Sequence, residues 1–576
     1  MKQIREISTD VLIIGSGGAG MRAAIEAHEL GAEVLVLSKG KFGVSGATVT
    51  ASADVNADSK SYCEMGLNGD PEDTKELYFE DTVRGGRFMN DQRLVQAMVD
   101  DAPLRVKELI DWKAPVKHVY QTPGHSRARG LWVVGKDYAW TLIRQVRERK
   151  IATIDNCQVI ALSKDGSRIN GAFAMDLATG EYLSIEAKAV ILATGGAMGV
   201  FNITTAPNEL YGEGQIMALE AGAELVDMEF PTFLLGCCTP PAARGINFTY
   251  AMLTRASAHM YNKEGLRFLE QWDPVHKELT TRDKLLVATA NEIQNGLGTP
   301  NDGVWVSLGH LSRNQIDYIF ESYGKWHGKG ADHYECFEIR DLWPNIYEDA
   351  IEGAPSAHFW SGGIRIGVNG ETSVEGLYAA GEVAGGVHGA NRLSGNAMTE
   401  ILVWGKRTGE AAAKYCENTA FGKKPDLESS EIFDRAESLL SEGSAETSTA
   451  EFRARLQKKA GESIGPVRNG KTLQSAVEFT NDMLKDLASH KCAYKERRFN
   501  RELSDALALQ RMAKIVRITA ETALMREESR GAHYRREYTE TSENWLKNIV
   551  VKNHNGEEQL YTKDIEVTSL RPEGLK

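Results

Sequence analysis

Three glycines, Gly15, Gly17 and Gly20, stand at GxGxxG spacing in the segment GSGGAG. This arrangement suits a pyrophosphate. The first glycine permits a tight turn, the second lets the backbone approach the phosphates, and the third lets helix and strand pack closely. The helix that follows offers unpaired N–H groups and the positive end of its dipole. At the end of the next strand, where an acidic residue would hold a ribose hydroxyl, the chain carries Ser38–Lys39. A serine hydroxyl makes the same hydrogen bond without the charge, so ribose binding is kept and plain NAD binding is disfavoured. Two further glycine-bearing strand ends, ATGG (residues 193–196) and AAGE (379–382), lie far away in the sequence. A single-nucleotide site has no need of three such ends, whereas a flavin dinucleotide crosses several. The alternative is a glycine-rich turn without a ligand. It is the weaker reading, because glycines ahead of an Ala-rich helix weaken a fold unless something must come close.

The elements that hold these residues can be read from the pattern. Residues 10–14 are a continuous apolar run, as expected of a buried parallel strand. MRAAIEAHELGA is an amphipathic helix and residues 34–39 a second strand, which completes a βαβ unit. A β-rich stretch spans residues 159–187, with Thr179–Gly180 as a hairpin turn signal, and strands follow at 189–196 and 376–382. Residues 227–352 turn irregular and aromatic-rich, as an inserted domain would. Residues 426–530 are charged, rich in Ala, Leu and Glu, and helical, and the polar tail from residue 548 is expected on the surface.

A chain of 576 residues needs more than one core. With 42% hydrophobic and 26% charged residues, the composition is that of a globular protein. The net charge of −13 argues against a nucleic-acid or anionic-membrane partner. No apolar run is long enough to span a bilayer, and the N-terminus runs into a strand without a cleavable segment, so a cytoplasmic location is expected. Seven cysteines (Cys63, Cys157, Cys237, Cys238, Cys336, Cys416, Cys492) form no CxxC pair or spaced quartet. They read as free thiols in a reducing compartment rather than as ligands of a metal or cluster.

In the order GSGGAG, VLVLSK, ATGGAMGVFNITTAP, YGEGQIMALEAGAELVDMEF, GLYAAGEVAGGVHGANRLSGNA and REESRGAHYRREY, the motifs resemble the succinate dehydrogenase and fumarate reductase flavoprotein family. L-aspartate oxidase and the more distant adenylylsulfate reductase α subunits are relatives of that family. The resemblance runs from about residue 10 to residue 545. It implies an α/β fold: a Rossmann-type FAD-binding domain (1–226 and 353–425) split by an α+β capping domain (227–352). A helical domain (426–547) and a C-terminal tail (548–576) complete the chain. It further implies FAD on Gly15, Gly17, Gly18, Ala19, Gly20, Ser38, Lys39, Ser45, Gly46, Thr194, Gly195, Glu213, Glu382 and Asn396. Ser38 and Lys39 fall at the adenosine ribose and Glu382 at the ribityl chain. Glu213 replaces the usual Asp of TGDG. Flavinylated members carry a His after the position of Lys39. Here KFGVSGATVTAS has none, so a non-covalent, dissociable FAD is expected.

The resemblance also implies hydride transfer between flavin N5 and a carboxylic acid, an enoate or its saturated form. Arg282 matches the proton-transfer Arg, His358 a carboxylate-binding His and Arg392 the carboxylate clamp, with His388 beside the flavin. An Arg suits the clamp because its planar fork meets a carboxylate with two parallel bonds. As a proton carrier it needs a tightly coupled relay, its pKa being above 12. Taken alone, Arg282 reads as a surface ion pair with Asp283, and His358 as a satisfied core side chain. The other carboxylate anchor departs from the family. Leu234 stands where a His belongs and Tyr250–Ala251 where Thr-Glu belongs, so the far end would face Leu234, Leu235, Cys237 and Tyr250. Burying a carboxylate unpaired costs several kcal/mol. The expected substrate therefore carries one carboxylate and a less polar far end, unless Arg244 or Arg255 supplies a cation. Electrons are expected to pass to an iron–sulfur subunit or another carrier, with the helical domain and residues 528–533 at the contact. Membrane association would then run only through partner subunits. Adenylylsulfate reductase-like chemistry, aspartate oxidase-like turnover with oxygen, and an electron-transfer subunit with a decayed substrate site are the alternatives.

Overall fold

A computed structural model describes residues 4–572 apart from 52–53, 240, 327–342, 344, 444–445 and 555. Cys336 lies outside the described residues; the other six cysteines are free thiols. The strand Ile4–Ile14 is the axis of the main sheet, with Val11, Leu12 and Ile13 wholly buried. It runs parallel to Val34–Leu37 on one side and to Tyr182–Leu192 on the other, and Ala152–Ile154 extends the sheet beyond Val34–Leu37. The strand Tyr182–Leu192 forks. Its first half pairs antiparallel with Arg168–Asp176, and its second half pairs parallel with Leu377–Ala379. In register, Ile14 faces both Leu37 and Leu192, and Leu192 faces Ala379. The segments GSGGAG, Ser38–Lys39, ATGG and AAGE therefore leave the sheet side by side at the carboxyl ends of parallel strands, where open α/β sheets bind their ligands.

A four-stranded antiparallel sheet caps this edge, in the order Pro231–Cys237, Ile351–Trp360, Val304–Ser307, His259–Tyr261. The helices Phe248–Ala256 and Arg282–Glu292 pack with it. The return to the first domain, expected at residue 353, comes later. Trp360 still pairs with Pro231, so the whole strand Ile351–Trp360 belongs to the cap. Its partner lies over a hundred residues upstream, and no local signal marks where the pairing ends.

The tail also departs from expectation. The strand Lys547–His554 pairs with Glu224–Val226 and buries Ile549, Val550 and Val551 completely, and Glu557–Asp564 covers its other edge. Three apolar residues in a row are too short a run to announce a buried strand.

In the helical domain, Thr449–Ile464, Gly470–Ser489 and Arg501–Met525 pack together, and Arg501–Met525 reaches back to the helix Glu213–Ala221. Residues 528–533, expected at a partner surface, hold an internal ionic cluster. Arg526 pairs with Glu229 at 2.8 Å and Glu528 at 2.9 Å, and Arg530 with Glu528 at 2.7 Å. His533 and all four of those charged side chains are buried. Charges are tolerated inside only when each is matched, so this network ties the C-terminal segment to the chain's entry into the cap at Glu229. Among the described residues no helix is long and apolar enough to cross a membrane.

Candidate active site

Between the sheet edge and the cap lies a cavity of about 1580 Å³. Pockets for a single small ligand run to roughly 300–1,000 Å³, so this one has room for a dinucleotide and a substrate together. Gly15, Gly17, Gly18, Ala19, Ser38 and Lys39 line it, followed by Ser45, Gly46, Thr194, Gly195, Glu213 and Glu382. Gly20 and Asn396 do not. Gly20 sits where a Cβ would come within 2.0 Å of the Gly15 carbonyl oxygen, so it serves packing. The Asn396 amide is fully buried. Its oxygen accepts from Tyr78 (2.9 Å) and Asn56 (2.8 Å), and its Nδ2 donates to Thr82 (3.2 Å), which secures the start of the helix Asn396–Glu417.

The glycine turn fits a pyrophosphate. Gly15 has φ +111°, and a Cβ there would meet the Ala193 carbonyl oxygen at 2.2 Å. A Cβ on Gly17 would meet only the Thr48 hydroxyl, at 3.5 Å, and otherwise project into open space. Three helices start at the cavity wall behind glycines: Gly18–Glu29 behind Gly17, Glu213–Ala221 behind Gly212, and Asn396–Glu417 behind Gly395. None has a side-chain cap from its N-cap residue, whereas helices opening elsewhere are capped by Thr74, Asp91, Asn469 and Asn500. Apart from the Gly18 N–H, which donates to Thr48 Oγ1, first-turn N–H groups without such a cap are donors for phosphate and other anionic ligand groups.

The end near Ser38 is built from a hydroxyl chain and an ion pair. Ser38 Oγ lies 2.7 Å from Ser16 Oγ, and Ser16 accepts from the Gly43 amide at 3.1 Å. Lys39 Nζ pairs with Glu213 Oε2 at 2.5 Å, and Gln158 donates to Glu213 Oε1 at 2.8 Å. The Gly46 amide donates to Glu209 at 2.8 Å, and Thr48 accepts from the Gly18 amide at 3.0 Å. Sequence reasoning missed Ser16 and Thr48, which sit at unassigned positions inside the quoted segments GSGGAG and KFGVSGATVTAS, and Gln158 and Glu209, which belong to no motif and meet the site only through folding. Glu382 accepts from the Trp360 amide at 3.0 Å, joining the third glycine-bearing end to the last residue of the cap. Desolvation pushes its carboxyl up to about 7.

On the opposite wall, Arg282, His358 and Arg392 face the same cavity. Arg282 is the first residue of the helix Arg282–Glu292, where a cation opposes the helix dipole at a cost of about 0.3–1 kcal/mol. Its Nη2 donates to Asn391 Oδ1 at 2.7 Å, so this cap residue reaches the loop that carries Arg392. The contact with Asp283 is long, 3.9 Å. Arg392 stacks 4.7 Å from the Phe359 ring centroid, and its buried Nε has no hydrogen-bond partner. Desolvation, reinforced by Arg282, pulls its guanidinium down to about 10, so an anion beside it is favoured. Desolvation, with Arg392 and Arg282 close by, holds His358 well below the usual imidazole range, so the ring is neutral. Its Nδ1 lies 2.8 Å from Thr205 Oγ1. When that hydroxyl donates, Nε2 keeps the proton and can offer it to a carboxylate. His388 does not line the cavity. It is buried against Glu400 at 2.9 Å and packs edge-on against Phe359, with ring centroids 5.2 Å apart. Glu400 itself faces the cavity.

The far wall differs from expectation. Leu234 and Tyr250 line it, but Leu235 and Cys237 are fully buried on the other side of their strand, as a two-residue period requires. Arg244 lines it instead. The side chains of Ala251 and Arg255 lie outside the described residues.

Residues 10–398 match the family described as FAD binding domain, and residues 453–575 that described as Fumarate reductase flavoprotein C-term. The chain is 34% identical to a fumarate reductase (CoM/CoB) subunit of Methanothermobacter marburgensis, over 94% of this chain and 96% of that protein. It is 31% identical to a fumarate reductase flavoprotein subunit of Mycobacterium tuberculosis, over 92% of each. The solved structure of Mycobacterium smegmatis Sdh1 superposes with a TM-score of 0.88 at 29% identity, covering 98% of this chain and 95% of the other.

Proposed function

Since the chain belongs to the fumarate reductase and succinate dehydrogenase flavoprotein family, an FAD-dependent oxidoreductase family, we propose that it interconverts an enoate and its saturated carboxylic acid. One observation carries this reading: three glycine-bearing strand ends and the trio Arg282, His358 and Arg392 share a single cavity.

FAD bound along the strand ends supplies a hydride donor or acceptor at flavin N5. The residues of the chain do the rest. Arg392 holds the substrate carboxylate with its fork, and His358 Nε2–H adds a neutral donor. Together they draw electron density towards the carboxylate as a hydride adds to the β-carbon. Arg282 gives the proton to the α-carbon in the reducing direction and removes it in the oxidising one. Asp283, which follows Arg282 at the start of the same helix, is the available relay for its replacement. Phe359 and Leu234 put apolar side chains on the cavity wall, where they would keep water from the reacting carbons.

The test is anaerobic mixing of the reduced holoenzyme with a panel of enoates. At least one is expected to reoxidise the bound flavin within the turnover range of seconds; a panel that leaves it reduced sinks the reading. An electron-transfer subunit with a decayed substrate site would give that negative result, and the retained trio argues against it.

We infer that the flavin is dissociable. Among the described residues the only histidine lining the cavity is His358, on the cap, so no imidazole from the Lys39 loop is placed to bond it. Acid precipitation is expected to release all FAD to the supernatant, and fluorescence retained by the denatured chain on a gel would contradict this. Relatives are named as subunits, which supports a partner subunit as the electron exchanger, and we take that partner to carry iron–sulfur clusters. Purification at native abundance should bring down stoichiometric iron. Rapid flavin reoxidation by oxygen alone, without iron, would point to aspartate oxidase-like turnover.

A further inference from the structure

One buried carboxylate on the cavity wall takes no part in the chemistry above. Asp54 is 6% exposed and lines the cavity, as do Tyr120 and Trp132 beside it. It opens the short strand Asp54–Asn56, which pairs antiparallel with Gly130–Trp132, and that strand pairs in turn with Val119–Tyr120. The Tyr120 hydroxyl donates to Asp54 Oδ1, and its ring centroid lies 5.9 Å from that of Trp132. A three-stranded sheet of its own therefore presents this carboxylate, apart from the cap and from the main sheet.

That strand is fastened to the segment that follows Arg392. Asn56, two residues on and so on the same face of the strand, is fully buried. Its Nδ2 donates to the Ser394 carbonyl at 2.7 Å and to Asn396 Oδ1 at 2.8 Å. Its backbone amide donates to Thr399 Oγ1 at 2.8 Å, and that hydroxyl donates back to the Asn56 carbonyl at 2.9 Å. A Cβ on Gly395 would meet Asn56 Oδ1 at 2.3 Å, so the two segments touch with nothing between them. Asp54 is thereby kept within electrostatic reach of the clamp. Desolvation and Arg282 pull the Arg392 guanidinium down, while Glu382, Glu400 and Asp54 pull it up.

Position decides what this charge can do. With the glycine turn at the pyrophosphate and Glu382 at the ribityl chain, the FAD ring falls at the end of the cavity that Arg392 and Asp54 share. Reduction adds electron density to that ring, and a fixed negative charge close by opposes the addition. We propose that Asp54 sets the reduction potential of the bound flavin, holding it low so that the hydride runs towards the enoate. In that direction a hydride passes from N5 to the β-carbon and Arg282 gives a proton to the α-carbon. The electron partner then returns two electrons to the flavin, and solvent returns one proton. The direction rests on the enoate reading above and deepens it, whereas the effect on the potential needs no substrate.

The test is the midpoint potential of the FAD-loaded protein, read by equilibrating it anaerobically with dyes of known potential. Asp54→Asn should raise the ratio of reduced to oxidised flavin about 10- to 100-fold at a given potential, about 30–60 mV for a two-electron couple. Asp54→Glu keeps the charge and should stay close to the parent. Should asparagine cost the protein its FAD, Asp54→Ser, neutral and smaller, gives the same reading. A neutral variant with the parent's potential overturns the proposal. So does an Asp54→Glu protein that moves as far as Asp54→Asn, the mark of a merely structural role. Tighter binding of a carboxylate ligand by Asp54→Asn at an unchanged potential also overturns it, by confining the charge's effect to Arg392. If the potentials move as stated but no enoate reoxidises the reduced flavin, Asp54 keeps its role and the enoate chemistry falls.

Discussion

Replacing Arg282 by glutamine is expected to lower kcat about 10²- to 10⁴-fold, the share that a positioned proton donor supplies, with FAD content unchanged. The arginine is a cap residue that hydrogen-bonds to the Asn391–Arg392 loop while facing the cavity. Its placement at the first turn of its helix works against the dipole, so the position is not one that helix stability selects. Glutamine can keep the bond to Asn391 and the shape of the wall, but it can neither give up nor take a proton at neutral pH. Stopped-flow reoxidation of the reduced holoenzyme isolates the step. The loss should fall on kcat and not on KM, because Arg392 and His358 still hold the carboxylate. A variant that turns over within a factor of ten of the parent would remove Arg282 from the proton path.

Gly17→Ala is expected to weaken FAD binding about 10- to 100-fold while the apoprotein unfolds at the parent's temperature. Of the three motif glycines, Gly17 alone has room for a methyl group in the protein by itself, with only Thr48 Oγ1 at 3.5 Å. That room is where a pyrophosphate must approach the backbone, so the methyl competes with the ligand rather than with the fold. One misplaced methyl costs about 1–3 kcal/mol, and 1.4 kcal/mol is tenfold in affinity. Gly15→Ala could not make this distinction, since its Cβ would run into the Ala193 carbonyl oxygen at 2.2 Å and damage the turn itself. Fluorescence titration of apoprotein with FAD, beside calorimetry of the apoprotein, reads both quantities. Unaltered affinity would mean that the pyrophosphate lies elsewhere.

The two halves of the site were legible to different degrees. The cofactor half could be read from local patterns because each piece is a short segment with its own signature: an apolar strand, a glycine-bearing end, a helix. Gly15, Gly17, Ser38, Lys39, Thr194 and Glu382 from those segments line one cavity, as does Glu213, which was picked out only through a family motif. Arg282, His358 and Arg392 could be picked out only through family motifs, since an isolated arginine or histidine carries no spacing signal. His388, from the same motif as Arg392, turned inwards to Glu400.

What the chain's local order determined, then, was the set of strand ends and helix starts, because hydrogen bonding and side-chain period act over a few residues. What only the folded molecule decided was which side chains meet across long separations. The end of the cap at Trp360 depends on pairing with Pro231, and the burial of Val550 depends on pairing with Val226. The turning of Cys237 away from the cavity and of Arg244 into it depends on strand parity and on a loop clamped at Gly245. Such contacts have no local signature, because the free energy that selects them comes from packing between surfaces formed independently along the chain.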